Sequence, residues 1–159
     1  ARDRRALADF TDADIAQLLH TDLVAAVALS RDAAEIMKAQ GRGRLIAVTS
    51  IAGPLARPDD SVYPIAKEGL TGLMRSLAVQ YGPHGITSNA IAPGMFATEA
   101  NAGMVEDAAT TDFVRRRVPA GRWGRPDEIA GAALFLAGDA ASYVNGQVIT
   151  VDGGMTVRM

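Results

Sequence analysis

The run LIAVTS at 45–50 constrains this chain more than any other stretch. It is apolar with a β-branched centre and no polar alternation, the pattern of a strand buried on both faces in a parallel sheet. ITSNAIA at 86–92 and QVITVDGG at 147–154 are expected to be two more strands, the last ending in a glycine turn. Helical patterning fills the intervals. The predicted order is helix, strand, helix, strand, a long irregular segment, helix, strand. That alternation predicts an α/β fold with a parallel sheet and helices on both faces.

FTDADIAQLLHTDLVAAVALSRDAAEIMKAQ, at 10–40, predicts one long helix. Thr11 is placed as its N-cap, and Asp12 and Asp14 suit the positive end of the helix dipole. Ile15, Leu18, Leu19, Leu23, Val27 and Met37 make its apolar stripe, and GRGR at 41–44 ends it. A second helix is predicted from Val62 to about Tyr81. A third is predicted over PDEIAGAALFLAGD, with Pro126 near its first turn. Residues 95–125 form a lid-like segment with one or two short helices.

Composition narrows the chemistry. The 159 residues fit one compact domain. The net charge is -2, with no basic stripe, so no nucleic-acid partner is expected. Arg115, Arg116 and Arg117 are assigned to a solvated helix face. Without cysteine there is no disulfide, thiolate chemistry or Cys-ligated zinc. His20 and His84 lack partners at ligand spacing, and no metal site is expected. No eighteen consecutive apolar residues occur, so no membrane span is expected. The missing cysteine is compatible with a cytoplasmic location. His84 is assigned to a turn, and Trp123 to packing before the third helix.

The chemistry centres on SVYPIAKEGLTG at 61–72. Tyr63 and Lys67 stand four apart, on one helix face. An ammonium beside a phenol favours the phenolate and suits the tyrosine to proton transfer. Ser50 follows the end of the first strand, where open α/β sheets bind ligands. Its hydroxyl suits a hydrogen bond to a substrate oxygen. The trio can move a proton at a carbonyl or alcohol oxygen. It supplies no electrons, so a hydride carrier is implied.

The motif S-x12-Y-x3-K formed by these three residues resembles the active-site signature of the short-chain dehydrogenase/reductase family. NAIAPGMFATE at 89–99 resembles the family's N-x-[IV]-x-PG-x3-T segment. RWGRPDEI at 122–129 and NGQVITVDGG at 145–154 resemble its R-x-G-x-P-x-E-[IL] and NG-x5-DGG segments. The resemblance implies that Tyr63 is the catalytic acid/base, that Lys67 assists it and binds the nicotinamide ribose, and that Ser50 steadies the substrate oxygen. It also implies that Pro93, Gly94 and Met95 line the nicotinamide of NAD or NADP, and that Thr98 bonds its carboxamide or diphosphate. A side chain at Gly94 would hinder close backbone approach.

Two departures stand out. Where the family has an asparagine on the long helix, HTDLVAA at 20–26 carries Asp22. Asp22 can accept from a water leading to the lysine, or pair with Lys67 and blunt its effect on Tyr63. The family's TG-x3-G-x-G turn and NNAG segment are absent from this sequence. GRGR precedes a strand rather than following one. The expectation is therefore a single domain, residues 1–159, forming the C-terminal portion of a Rossmann-like doubly wound parallel sheet and lacking its dinucleotide-binding part. Alone, it is expected to be inactive.

Within the family, LARP at 55–58, APGMFATE, the lid and VNGQVITVDGGMTV resemble the gluconate 5-dehydrogenase group. This implies an enzyme interconverting gluconate and 5-ketogluconate, or acting on a related sugar acid or polyol. A carboxylate substrate needs a cation, for which Arg57 and Arg117 are the candidates. Two alternatives are a reductase of 3-oxoacyl thioesters or other ketones, and a non-catalytic fragment or binding protein. The resemblance also implies a homotetramer or dimer, with Gly69, Gly72 and Ala78 permitting close helix packing.

Overall fold

The structure is a computed structural model that describes residues 4–55 and 58–159. Its centre is a three-stranded parallel sheet in the order β1 (Gly43–Val48), β2 (Ile86–Pro93), β3 (Val148–Val151). Ile46 lies opposite Asn89, and Ala90 opposite Val148. β2 is buried from Ile86 to Ala92 because both its edges are paired and both its faces are covered.

The long helix forms as three joined pieces: α1 (Asp12–Leu19), a π turn (His20–Val24) and α2 (Ala25–Gln40). Thr11 caps it reciprocally: its hydroxyl accepts from the Asp14 amide at 3.2 Å, and Asp14 accepts from the Thr11 amide at 3.0 Å. Arg5 adds an ion pair to Asp14 at 3.2 Å. The π turn departs from the uniform helix predicted by the sequence. Thr21 donates its hydroxyl to the Gln17 carbonyl at 2.9 Å, the acceptor that an undisturbed helix reserves for the Thr21 amide. Gly41, at φ 70°, closes α2 in the left-handed conformation.

α2 and α3 (Val62–Tyr81) cover one face of the sheet, where Ala34, Leu45, Met74, Leu77, Tyr81, Ile86 and Ala90 form a core. The Tyr81 hydroxyl donates to Glu35 at 2.7 Å and ties the two helices together. Of the predicted long-helix stripe, Val27 is exposed, because only a narrow line of α2, centred on buried Ala34, meets the sheet. By length, and by a mean hydropathy of 1.2 over an 18-residue window, the 12–40 helix is comparable to a membrane span. It packs on α3, β1 and β2, and Lys67 of α3 engages Asp22.

The 95–125 segment carries α4 (Ala102–Glu106) and α5 (Ala108–Arg117), within the predicted one or two short helices. Arg116 pairs with Asp112 at 2.8 Å on the solvated face of α5. The third helix begins as a 3-10 turn, Pro126–Ile129, and continues as α6 (Ala130–Ala137). α6 covers the second face of the sheet, over Ile46, Ile91, Ile149 and Val151. His84 sits in a turn, as expected, and Trp123 packs at the lid base with its indole donating to Thr111 at 3.1 Å.

The NG motif has a mechanical purpose. Fully buried Asn89 donates to the Val144 carbonyl at 2.8 Å and accepts from the Gln147 amide at 3.0 Å. Asn145 accepts from the Ser88 amide at 2.8 Å and donates to the Ala78 carbonyl at 3.0 Å. Gly146 follows at φ 72°, a conformation open to glycine. Of the three small residues expected to serve subunit contact, two are used inside the chain. Gly69 lets Leu23 approach, since a Cβ there would lie 2.7 Å from a Leu23 methyl. Ala78 meets the Asn145–Gly146 turn. Gly72 faces open space.

Glu128 anchors the start of the third helix. Arg122 grips it through two bonds, at 2.8 and 2.7 Å, and the Arg125 amide donates at 2.7 Å. The Arg122 bond, then the Arg125 amide, hold its carboxyl down from 4.5 to about 2. A depressed carboxyl stabilises the fold above its unfolded value and loses that effect as pH falls through the folded one. Glu128→Gln is therefore expected to lower the melting temperature above pH 4.5, with the gap to wild type closing as pH approaches about 2.

Candidate active site

Ser50, Pro93 and Gly94 lie at the C-terminal ends of β1 and β2. Thr49 leaves β1 tied to β2, its amide and hydroxyl both donating to the Ile91 carbonyl at 2.8 and 3.1 Å. Ile51 then donates to the Pro93 carbonyl at 3.2 Å, and Gly94 to the Val151 carbonyl at 2.9 Å. These two bonds fix the loops after β1, β2 and β3 side by side. Ser50 lies between the first two anchors. Its Oγ accepts from the Ala52 amide at 3.1 Å, which leaves the hydroxyl proton available to another acceptor.

Tyr63 and Lys67 stand one turn apart in the first turns of α3. The ammonium lies 5.3 Å from the centroid of the tyrosine ring, within cation–π range. Lys67 is nearly buried, 14% exposed, and its Nζ is 3.5 Å from Asp22 Oδ1. Asp22 thus pairs with Lys67 in this structure. The π turn presents Asp22 to α3, and Leu23 beside it packs where Gly69 has no side chain.

Gly94 is required by a close neighbour in the chain itself. A Cβ there would meet the Cα and Cβ of Asp152 at 2.7 Å. Asp152 in turn organises the C-terminal glycine turn, accepting from the amides of Gly154 at 2.8 Å and Thr156 at 2.7 Å. Burial opposes its ionisation, but hydrogen bonds from Thr156, Gly154 and Met155 outweigh that and keep its carboxyl below the ordinary value. Met95 is pinned through its carbonyl by the Gly124 amide at 2.8 Å. Half-buried Thr98 caps the short turn at Glu99–Asn101, its carbonyl accepting from the Asn101 amide at 2.9 Å.

The candidate cations fall differently. Arg57 lies outside the described residues. Arg117 turns to the C-terminal tail and donates to the Arg158 carbonyl at 2.8 Å. A third arginine, missed by the sequence reading, lines a cavity that shares Met95 with the predicted nicotinamide segment but is not lined by Ser50, Tyr63 or Lys67. Arg4 lines a cavity of about 340 Å³ with Met95, Met104, Ala109, Thr110 and Phe113. Its Nε is buried with no hydrogen-bond partner among the described residues, and Nη1 rests 2.9 Å from the Met104 sulfur. A strand-like bridge between Arg5 and Asp60 joins this segment to the loop preceding Tyr63. Nothing in ARDRR signals this, because the bridge spans the gap between distant parts of the chain. Its density of arginine was the one available cue.

A parallel sheet with helices on both faces and a polar constellation at its strand ends is a Rossmann-like arrangement. A family model described as enoyl-(acyl carrier protein) reductase matches residues 1–156. The chain belongs to the short-chain dehydrogenase/reductase family. It is 40% identical over 156 residues to the gluconate 5-dehydrogenase of Gluconobacter oxydans (strain 621H), covering 98% of this chain and 61% of that protein. It is 42% identical over 140 residues to the L-rhamnose 1-dehydrogenase (NAD(P)(+)) of Azotobacter vinelandii, covering 87% of this chain and 55% of that one. The crystal structure of a gluconate 5-dehydrogenase from Burkholderia cenocepacia J2315, in complex with NADP and tartrate, superposes with a TM-score of 0.94 at 38% identity, covering 98% of this chain and 61% of that one. The chain thus spans about three fifths of the length of these relatives.

Gly94→Ala forces a methyl group against the Asp152 backbone, and overpacking of this kind costs about 1–3 kcal/mol. Denaturant titration is expected to show a lower midpoint with an unchanged slope.

Proposed function

We propose that the protein to which this chain belongs is an NAD- or NADP-dependent oxidoreductase interconverting an alcohol and a ketone. The observation that carries this reading is the Lys67 ammonium beside the Tyr63 ring, on the helix that follows the Ser50 loop. In the oxidation direction Tyr63 takes the proton of the substrate hydroxyl. In reduction it returns one to the carbonyl oxygen. The Ser50 hydroxyl donates to that same oxygen, and Lys67 favours the ionised phenol.

The donor set suits the nicotinamide end of the cofactor. Lys67 offers ammonium donors for ribose hydroxyls, and the Pro93–Gly94–Met95 backbone is rigidly held and bears no side chain at Gly94. When bound, the dinucleotide supplies the hydride chemistry that these side chains lack. The pyrophosphate cradle has no counterpart in the sequence, and the 159-residue chain alone is proposed to be inactive. Turnover by that chain would overturn this point.

A sugar acid such as gluconate or 5-ketogluconate is the favoured substrate. Arg4 supports this reading: its side chain is half-buried, with a buried and unused Nε donor, in a cavity that Met95 also lines. So do the relatives, gluconate 5-dehydrogenases among them. A second reading is reduction of the ketone of a 3-oxoacyl thioester; the description of the matching family model points to acyl-thioester substrates, though to an enoyl rather than a 3-oxo group. We also propose a cytoplasmic homo-oligomer, dimer or tetramer, supported by apolar Val24, Val27, Ile65 and Val79 left exposed on the two long helices.

In the intact protein, Tyr63→Phe is expected to lower kcat by about 100-fold or more with unchanged circular dichroism. Arg4→Ala is expected to raise KM for gluconate about tenfold or more, while KM for a neutral polyol stays near wild type. Equal effects on both substrates would remove the carboxylate assignment. A preference for acetoacetyl thioester over gluconate would establish the second reading.

A further inference from the structure

We propose that Asp22 is a positioning residue whose charge, acting through Lys67, sets the pH range in which Tyr63 exchanges protons with the substrate. The proposal rests on the oxidoreductase reading above. Asp22 is held at its station by two independent features. The π turn widens the helix at its position, and Leu23 next to it is seated in the space left by Gly69. The carboxylate meets the ammonium at 3.5 Å, with Asp22 25% and Lys67 14% exposed, so solvent screens the pair only in part.

The sign follows from the order of the charges. The ammonium beside the Tyr63 ring favours the phenolate. The Asp22 anion, 3.5 Å from that ammonium, offsets part of its field at the phenol. Alcohol oxidation needs a tyrosine able to accept a proton, so with Asp22 the oxidation rate rises at a higher pH than it would with a neutral amide in the same place. Asp22 also tethers the ammonium, which an amide would do only through a weaker bond.

Other ionisable groups on the surrounding elements are His20 on the π turn, Asp14 on α1, Glu68 on α3, and Asp59 and Asp60 in the loop before α3. His20 and Glu68 are exposed, and Asp14 is already engaged by Arg5. Asp22 is the carboxylate paired with Lys67.

The test compares wild type, Asp22→Asn and Asp22→Glu in the intact protein. The acidic limb of the kcat/KM profile for alcohol oxidation is expected to move about one pH unit lower in Asp22→Asn. Asp22→Glu, which keeps the charge, is expected to stay with wild type. A second measurement does not need turnover. The ultraviolet difference absorbance of ionised tyrosine, taken relative to the corresponding Tyr63→Phe protein, should move in the same direction in Asp22→Asn. No movement, or movement to higher pH in either measurement, overturns the proposal. If Tyr63→Phe retains full turnover, the oxidoreductase assignment of Tyr63 fails, while the absorbance titration still decides the role of Asp22.

Discussion

The arrangement depends on β2. It is the central strand, paired along both edges, and its exit at Pro93 accepts the amide that ends the β1 loop. Gly94, the next residue, donates to the end of β3. Three separate strand exits thus become one rigid platform through two backbone bonds. Ser50 sits on that platform, and α3, which packs against β2, carries Tyr63 and Lys67. Parallel pairing makes this possible, because every strand ends at the same edge of the sheet.

Glycine and small polar groups take over where side chains would obstruct. Gly94 lets the Asp152 backbone come close, so the C-terminal turn buttresses the segment facing the site. Gly69 admits Leu23 and thereby sets the distance between the π turn and α3. Each close approach fixes a neighbour of the candidate site: Met95 next to Gly94 in the first case, and Asp22 next to Leu23 in the second.

Much of this was legible in the sequence. The strands announced themselves by β-branched apolar runs, and the helices by caps and periodicity, because these signals are local. Ser50, Tyr63 and Lys67 were legible because two lie on one helix face and the third follows a strand. Asp22 was legible as a departure at a recognisable position, and the alternative of pairing with Lys67 was within reach of simple electrostatics. The π turn was not legible. It arises where the Thr21 hydroxyl competes for a helix carbonyl, a choice among acceptors that periodicity does not encode. Arg4 was hidden for another reason: a bridge between Arg5 and Asp60 carries it to its cavity, and such long-range pairing leaves no local trace. Gly69 was read as a contact surface for another subunit, because a small residue signals close approach without naming what approaches.

The two asparagine clamps carry a consequence for how the chain reaches this state. Asn89 and Asn145 bind partners 55 to 67 residues away in sequence, on β2, on α3 and in the turn before β3. None of these bonds can form until a long loop has closed, and loop closure must precede the reward of non-local contacts. The last strand is therefore a late arrival in folding, locked into place only after β2 and α3 have assembled. The platform beneath the site is finished by the latest of its three strands in chain order.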